Sequence, residues 1–516
     1  MKKKNNLLLI GVLFCLIVTS CGQAGVENST QDVFTEQEET TSDIESVTEN
    51  DKDTQGVTEQ DTQEKETESE TETQTISPDT QQNQANTQKP STQKPENNNT
   101  TGNNSQTPST PNTEEDNTKP QPDKEFENPI SLEPVAGLKK DFLFGCDMST
   151  LIAQEKSGVV YYNEAGVKQD PLLTLAENGV NMVRVRVWND PYDANGNGYG
   201  GGNCDTANAI AIGKRATSYN MTCFIDFHYS DFWADPAKQM CPKAWKNMDM
   251  TAKTQAIYDY TKESLGQILA AGVDVSLVQI GNEITSGMSG ETDWKNISTL
   301  LNSASKAVRE LSAQYSKDIK IAVHFTNPEK PGRYANYAKT LNTNKVDYDV
   351  FATSYYSYWH GTLDNLKSVL GNIADTYHKK VMVAEIAYAY TNADGDGHGN
   401  TIHSGAWGEF NYDFSEQGQA NEVRDCVETL VELGDDAIGI CYWEPAWIPV
   451  PNNTGMTRAA IWEKFGSGWA SSFAGEYDAK DAGQYYGGSA WDNQALFDFN
   501  GYPLSSIEMF EKMRGN

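Results

Sequence analysis

Positive charge, cysteine and long apolar stretches are all scarce in this sequence. Its 40 Lys and Arg stand against 73 Asp and Glu, so the formal net charge at pH 7 is −33. Because so acidic a chain repels polyanions, we expect no nucleic-acid partner. Beyond the first 20 residues no run is long and apolar enough to span a membrane. Composition thus disfavours both nucleic-acid binding and a membrane-embedded core.

The 8 cysteines include no CxxC pair. Six of them follow residue 128: Cys146, Cys204, Cys223, Cys241, Cys426 and Cys441. Cys146, Cys223 and Cys441 lie within apolar runs typical of buried strands, which predicts that they are packing residues. A Cys204–Cys241 disulfide would suit an exported protein, but the sequence alone cannot establish that pairing.

The first 20 residues are organised like a bacterial signal segment. Lysines at 2–4 precede an apolar stretch at 7–18, which is too short to span a bilayer well. Thr19 and Ser20 then lead into Cys21, as in a lipobox, where the cysteine is acylated and becomes the new N-terminus. We expect residues 1–20 to be removed and the exported protein to be held on the membrane by a lipid on Cys21. An ordinary cleaved signal with an incidental cysteine is the alternative.

Residues 21–128 form a low-complexity segment of Thr, Gln, Glu, Asn, Ser and Pro. It carries 25 acidic residues against 6 lysines, more than half of the formal charge. With almost no large apolar side chains it cannot bury enough surface to offset the entropy of ordering, so we predict a disordered, extended spacer. A binding region in its own right is the other interpretation.

Residues 129–516, about 390 in number, are enough for one large core, and we expect a monomer. Short apolar, β-branched runs alternate with helical stretches such as 252–271 and 295–315. Eight strand–helix units predict an α/β fold, a (β/α)8 barrel. An open doubly wound sheet is the rival, but no Gly-rich phosphate loop follows the first run. The eight strands are expected at 142–149, 182–188, 222–228, 277–282, 319–325, 349–355, 381–385 and 437–443.

Polar and aromatic residues cluster at the ends of six of these runs, where a barrel places its catalytic groups. Two of these clusters contain the glutamates Glu283 and Glu385. Glycoside hydrolysis needs one carboxylic acid to protonate the leaving oxygen and a second carboxylate as nucleophile or base. Strands four and seven lie across the barrel mouth from each other, so the two glutamates are the candidate pair. Structural carboxylates at strand ends are the plainer interpretation.

Four segments resemble the family 53 endo-β-1,4-galactanases, and the resemblance covers nearly all of the chain after about Leu138. The matching segments are VRVRVW at 183–188, DFHYSDFWADPAKQ at 226–239, VQIGNEI at 278–284 and SYYSYWHG at 354–361. The resemblance implies a retaining endo-acting enzyme of β-1,4-galactan. In it Glu283 is the acid/base and Glu385 the nucleophile, with their carboxyl groups about 5–5.5 Å apart.

The resemblance also assigns the residues around the pair. Asn282 would bond the sugar 2-hydroxyl, and Tyr356 with Arg186 would hold Glu385 ionised. Arg184 could serve in place of Arg186, because strand alternation puts both on one face. The remaining expected sugar contacts are His228, Asp231, Trp233, Trp359 and Trp443.

After strand seven, an oxygen-rich loop alternates with glycines. Its side chains are Asp394, Asp396, His398 and Asn400, a pattern that suits a hard cation such as Ca²⁺ but also an acidic turn. Bacterial family 53 enzymes are similar here, and the resemblance adds Ser489 and Asp492 to the ligands. We expect a structural calcium ion that joins this loop to the C-terminal segment.

Two other functions stay open at this point. A retaining enzyme of the same clan could act on mannan or cellulose instead of galactan. A surface glycan-binding barrel without activity is the second alternative, which the presence of both glutamates disfavours.

Overall fold

The computed structural model describes residue 126 and residues 128–515, apart from 407, 453, 454, 480, 481 and 483–487. The predicted signal segment at 1–20, Cys21 and nearly all of the 21–128 spacer therefore lie outside the described residues. Among those described, no helix has the length and apolar character that crossing a membrane requires.

Eight parallel strands close into a barrel in which each strand pairs with its sequence neighbours and the last pairs with the first. Their residues are almost all buried, because helices cover the outer face and side chains fill the interior. The predicted (β/α)8 barrel is confirmed. The strands are β1 Leu143–Asp147, β2 Met182–Val187, β3 Thr222–Phe227, β4 Val275–Ile280, β5 Lys320–Phe325, β6 Val350–Ser354, β7 Lys380–Ile386 and β8 Ala437–Tyr442.

Helices follow the strands, and several begin at a residue whose side chain caps the free backbone N–H groups. Asp249 and Asp293 accept such bonds at the start of the helices Met250–Ala270 and Trp294–Tyr315, which match the stretches predicted from periodicity. The helices are α1 Leu151–Lys156, α2 Pro171–Glu177, α3 Thr206–Ser218, α4 Met250–Ala270, α5 Trp294–Tyr315, α6 Arg333–Thr343, α7 Leu363–Tyr377, α8 Glu416–Val431, α9 Arg458–Phe465 and α10 Met509–Arg514. Short 3₁₀ turns lie at Lys243–Trp245, Gly434–Asp436, Ser472–Ala474, Asp492–Gln494 and Ser505–Glu508.

The barrel interior changes character along the strand direction. Its lower part is apolar and includes Met182, Phe224 and Leu277. Since alternate residues of a strand share a face, Arg184 and Arg186 point into the same interior as Met182, one level and two levels higher. The charged upper interior therefore lies directly on an apolar plug, which excludes water from below.

The cysteines are all free among the described residues. Cys146, Cys223 and Cys441 are buried on strands, which confirms their predicted packing role. The Cys204–Cys241 disulfide left open by the sequence is not formed: the Sγ of Cys204 lies instead 3.2 Å from the carbonyl oxygen of Gly201.

Candidate active site

Glu283 and Glu385 both project from the carboxyl ends of barrel strands. Glu385 belongs to β7 itself, whereas Glu283 follows the end of β4 by three residues. The chain turns sharply there, because Gly281 has φ +101 and Glu283 itself has φ +43. A positive φ is strained for a residue with a side chain, and such strain accumulates at functional sites. The nitrogen of the Gln239 amide lies 2.8 Å from the carbonyl oxygen of Asn282, to which it donates, supporting this turn.

The carboxylate of Glu385 is held by two donors. Arg184 Nη1 lies 2.8 Å from Oε1, and the hydroxyl of Tyr356 donates to Oε2 at 3.1 Å. Glu385 is 7% exposed, so water and salt screen both interactions little. The predicted contact from Tyr356 is present, and of the two candidate arginines it is Arg184 that reaches Glu385.

Arg184 is the hub of the upper barrel, fully buried on β2. Its Nη1 also lies 3.0 Å from a carboxylate oxygen of Asp147, and its Nη2 lies 2.9 Å from Asp226 and 2.9 Å from Oδ1 of Asn282. The planar guanidinium thus joins groups from β1, β3, β7 and the turn after β4. Removing it would leave several buried carboxylates without a counter-charge.

The environments of the two glutamates separate their roles. Burial raises the pKa of Glu283, and the negative charge of Glu385 raises it further. Burial also raises the pKa of Glu385, but there the positive charge of Arg184 opposes the effect. When the two share one proton, it therefore resides on Glu283. An acid beside an ionised carboxylate is what glycoside cleavage needs.

Arg186 does not hold Glu385, so that part of the prediction is wrong. Two residues further along β2, it lies beside Glu444 instead, with Nη1 2.6 Å from Oε1. Its guanidinium lies 4.4 Å from the ring centre of Trp233 and 5.8 Å from that of Trp443. Glu444 is fully buried, and its place after the aromatic end of β8 was the only sequence signal for it.

His228 and Asp231 are buried, and their side chains are hydrogen-bonded within the protein. His228 is 1% exposed; its Nε2 lies 3.0 Å from Asp226, and its Nδ1 accepts from the indole of Trp188. Asp231 is fully buried and accepts from the backbone of Lys243 and the hydroxyl of Tyr477. The predicted sugar contacts of these two residues are not supported, because their polar atoms are used within the protein.

The three predicted tryptophans lie at the mouth of the barrel within a larger aromatic group. Trp233 stacks on Trp469 with ring centres 4.4 Å apart, and Trp443 meets Trp491 edge-on at 4.9 Å. Trp359 is half-buried and packs against Tyr356. Trp469 and Trp491 lie in the irregular C-terminal segment, where no periodic pattern marks them, and sequence reasoning missed them.

The oxygen-rich loop after β7 meets the C-terminal segment as expected from the sequence. Carboxylate oxygens of Asp394, Asp396 and Asp492 lie within 4.8 Å of one another, a grouping that could hold a metal ion. The Oδ1 atoms of Asn400 and Asp492 are buried and have no hydrogen-bond partner among the described residues. Ser489 lies beside them and donates its backbone N–H to Asp396 at 2.9 Å. His398 is half-buried, and its backbone N–H donates to Asp396 at 2.8 Å.

Comparison with known proteins agrees with this geometry. The family model described as glycosyl hydrolase family 53 matches residues 143–510. An endo-beta-1,4-galactanase of Bacillus subtilis (strain 168) is 56% identical over 383 residues, which are 74% of this chain and 88% of that protein. An arabinogalactan endo-beta-1,4-galactanase of Cellvibrio japonicus (strain Ueda107) is 33% identical over 332 residues, 62% of this chain and 85% of that protein.

Solved structures point the same way. The GH53 catalytic domain of Ignisphaera aggregans is 38% identical, with a TM-score of 0.65 over 75% of this chain and 99% of that one. A structure of fungal beta-1,4-galactanases is 29% identical, with a TM-score of 0.57 over 72% of this chain and 98% of that one. The chain belongs to glycosyl hydrolase family 53.

Proposed function

We propose that this protein is an endo-β-1,4-galactanase that cleaves the galactan chains of pectin side chains with retention of configuration. The arrangement of Glu283 and Glu385 carries the proposal: the half-buried Glu283 has no cationic partner among the described residues, whereas the buried Glu385 contacts Arg184. The 56% identity to a protein named as an endo-beta-1,4-galactanase supports the choice of polymer.

The first step forms a covalent intermediate. Glu385 Oε2 or Oε1 attacks the anomeric carbon, while Glu283 gives its proton to the glycosidic oxygen and the bond between that oxygen and the carbon breaks. The leaving chain departs as an alcohol, and Glu283 becomes a carboxylate. Arg184 and Tyr356 keep Glu385 ionised and oriented before the attack.

The second step releases the product. Glu283, now a base, takes a proton from water, whose oxygen attacks the anomeric carbon and displaces Glu385. Two inversions restore the original configuration. Glu283 is protonated again and Glu385 is again a carboxylate, so the enzyme returns to its starting state.

Asn282 is proposed to bind the sugar 2-hydroxyl, and its existing bonds define how. Its Oδ1 already accepts from Arg184 and from Gln279 Nε2, and its Nδ2 donates to the carbonyl oxygen of Ala234. One N–H of the amide remains, so Asn282 acts on the sugar as a donor. Trp233, Trp359 and Trp443 are proposed as apolar platforms for sugar faces.

The test is a product analysis of the exported protein on three polymers. Galactan should yield short galacto-oligosaccharides, whereas mannan and cellulose should yield none. Cleavage of mannan or cellulose without galactan would assign the protein to another activity of its clan. Binding of galactan with no release of reducing ends would instead identify a glycan-binding barrel.

We also propose that Ca²⁺ binds among Asp394, Asp396, His398, Asn400, Ser489 and Asp492. The buried, unpartnered oxygens of Asn400 and Asp492 support a group that supplies positive charge there. When bound, the ion would neutralise clustered carboxylates. These residues would then tie the loop after Glu385 to the C-terminal segment.

The lipid anchor on Cys21 is likewise proposed from the lipobox-like pattern. Acyl chains buried in the membrane would hold the protein at the cell surface, with the acidic spacer between anchor and barrel. Mass spectrometry of the mature N-terminus tests this: a diacylated Cys21 supports the anchor, and an unmodified N-terminus excludes it.

A further inference from the structure

A row of hydrogen-bonded side chains joins Asn282 to its sequence neighbour Glu283 by way of β5 and β6. Nδ1 of His324 lies 2.8 Å from Oδ1 of Asn282, and Nε2 of His324 lies 3.0 Å from Oγ of Ser354. That Oγ lies 2.6 Å from Oε1 of Glu283. His324 and Ser354 are both fully buried, so water does not interrupt the row.

The direction of the first bond follows from the partners of Asn282. Arg184 can only donate, and its Nη2 lies 2.9 Å from Oδ1, so that atom is an acceptor. The Nδ2 of Asn282 faces the carbonyl oxygen of Ala234 at 2.8 Å, which can only accept. The amide orientation is thus determined on both sides, and Nδ1 of His324 must be the donor to Oδ1.

The remaining directions follow from the charge of His324. Burial and the nearby positive charge of Arg184 hold the pKa of His324 well below its usual range, so the ring is neutral and carries only the Nδ1 proton. Its Nε2 must then accept, and the hydroxyl of Ser354 is the donor that the described residues place there. A hydroxyl has one proton, so the Oγ of Ser354 is left as an acceptor towards Glu283. Oε1 of Glu283 must supply the proton of that bond, whose 2.6 Å length is normal for O–H···O.

We propose that His324 and Ser354 form a relay that keeps a proton on Oε1 of Glu283 in the free enzyme, acting as positioning residues for the general acid. The inference deepens the proposed function and rests on it, since Glu283 is the acid/base of that function. It assigns a role to two residues that touch neither the sugar nor Glu385.

The hydrogen bonds of the relay change direction during the reaction and return to their starting state at its end. As the glycosidic oxygen arrives, the O–H of Glu283 turns from Ser354 towards it and delivers the proton. The hydroxyl of Ser354 then turns from His324 to the new carboxylate, leaving Nε2 of His324 without a donor. When Glu283 takes a proton from water in the second step, Ser354 returns to His324. The carboxylate is stabilised only at the expense of the bond to His324, so the relay favours protonated Glu283.

Other groups also face these residues and must be separated from the relay. Burial and the charges of Glu385 and Asp235 raise the pKa of Glu283, whereas hydrogen bonds donated by Ser354 and Thr326 lower it. The bond from Ser354 has this lowering effect only when its hydroxyl points to Glu283 rather than to His324. Burial lowers the pKa of His324, as do Arg184, His228 and His360, whereas the negative charge of Asp226 raises it. Replacing the ring of His324 leaves these other groups in place. His324→Leu also removes the bond to Asn282, so a variant that can keep this bond is needed beside it.

The experiment compares pH profiles of kcat/KM on galactan for the wild type and four variants: His324→Leu, His324→Gln, Ser354→Ala and the double variant that combines Ser354→Ala with His324→Leu. In His324→Leu the hydroxyl of Ser354 is free to donate to the carboxylate, so the alkaline limb should move down by roughly 0.5–1 pH unit, about one neutral hydrogen bond. His324→Gln offers an amide that can donate to Asn282 and accept from Ser354, and it should restore most of the limb. In a Ser354→Ala background, His324→Leu should cause no further movement.

An unmoved alkaline limb in His324→Leu overturns the proposal, as does a movement of equal size in the Ser354→Ala background. A loss of packing alone would lower activity without this dependence on Ser354. If His324→Leu does not fold, ¹⁵N NMR of the wild-type imidazole rings decides, with the His324 signals assigned by their loss in His324→Gln. A neutral Nδ1–H ring supports the relay, and an Nε2–H ring or an imidazolium refutes it. Failure of the proposed function would appear separately, as no galactan cleavage by wild type.

Discussion

The conservative change Arg184→Lys tests the hub of the site. The guanidinium of Arg184 serves Glu385 and Asp147 through Nη1 and Asp226 and Asn282 through Nη2. The ammonium of lysine is a single compact charge and cannot occupy both positions. Burial raises the pKa of Glu385 and Arg184 opposes this rise, so a weaker contact lets the pKa increase. Because Glu385 must be ionised to attack, the acid limb of kcat/KM should move to higher pH.

The expected movement is about 1–2 pH units, the lower part of the range over which an adjacent arginine shifts a carboxylate. On the acid limb this lowers kcat/KM roughly tenfold per unit. The assay is the initial rate of reducing-end release from galactan at subsaturating substrate between pH 4 and pH 8.

Arg186→Lys is the matched control. Arg186 is on the same strand and interior face and is equally buried, but its charged partners are Asp147 and Glu444. Both variants should lose thermal stability, since each disturbs a buried ion pair. Only Arg184→Lys should move the acid limb. An unmoved limb in Arg184→Lys, or equal movement in both variants, would refute the assignment of Arg184 as the group that keeps Glu385 ionised.

Three further predictions follow from the same site and its surroundings. Glu385→Ala should abolish turnover while leaving galactan binding within a few-fold of wild type, as measured by calorimetry; a near-normal rate would exclude Glu385 as the nucleophile. Chelation of metal should lower the melting temperature of the wild type and leave that of Asp492→Asn almost unchanged, with calcium restoring the former; an equal fall in both would argue against the proposed ion. Asp147→Asn should reduce the free energy of unfolding by about 3–5 kcal/mol in urea titration, because Asp147 faces Arg184 and Arg186. Four buried carboxylates surround the two arginines, so the cluster holds more acids than positive charges, and burial raises the pKa of Glu444. Glu444→Gln therefore removes little negative charge and should lower the free energy of unfolding by less than about 1 kcal/mol. A larger loss in Glu444→Gln than in Asp147→Asn would contradict this account of the cluster.

The fold was predictable because parallel strands covered on both faces leave a plain signature. Runs such as MVRVRV and VSLVQI are apolar enough to identify a buried strand even though arginine interrupts the first. The glutamates at the ends of β4 and β7 were predictable for a related reason. In a barrel, function gathers at the carboxyl edge of the strands, so position along a strand already separates catalytic from packing carboxylates.

The sequence could not predict which of Arg184 and Arg186 pairs with Glu385, because strand alternation places both arginines on one face. A separation of two residues is about 7 Å along a strand. That height decides which carboxylate each arginine meets, Glu385 for one and Glu444 for the other. The partners of His228 and Asp231 were not predictable either. Both residues occur in the longest of the four family-like segments, but their polar atoms bond to groups elsewhere in the fold or to a strand neighbour.

By itself, the sequence determined the barrel, the two glutamates and the family, since each depends on local pattern or on motifs read in order along the chain. Only the tertiary structure decided how charge and protons are distributed among them. Ser354 begins one of the four family-like segments and His324 lies outside them, but neither position indicates a bond to the other or to Glu283. They become a relay because the closed barrel brings the ends of β4, β5 and β6 side by side, within reach of one hydrogen bond from each to the next.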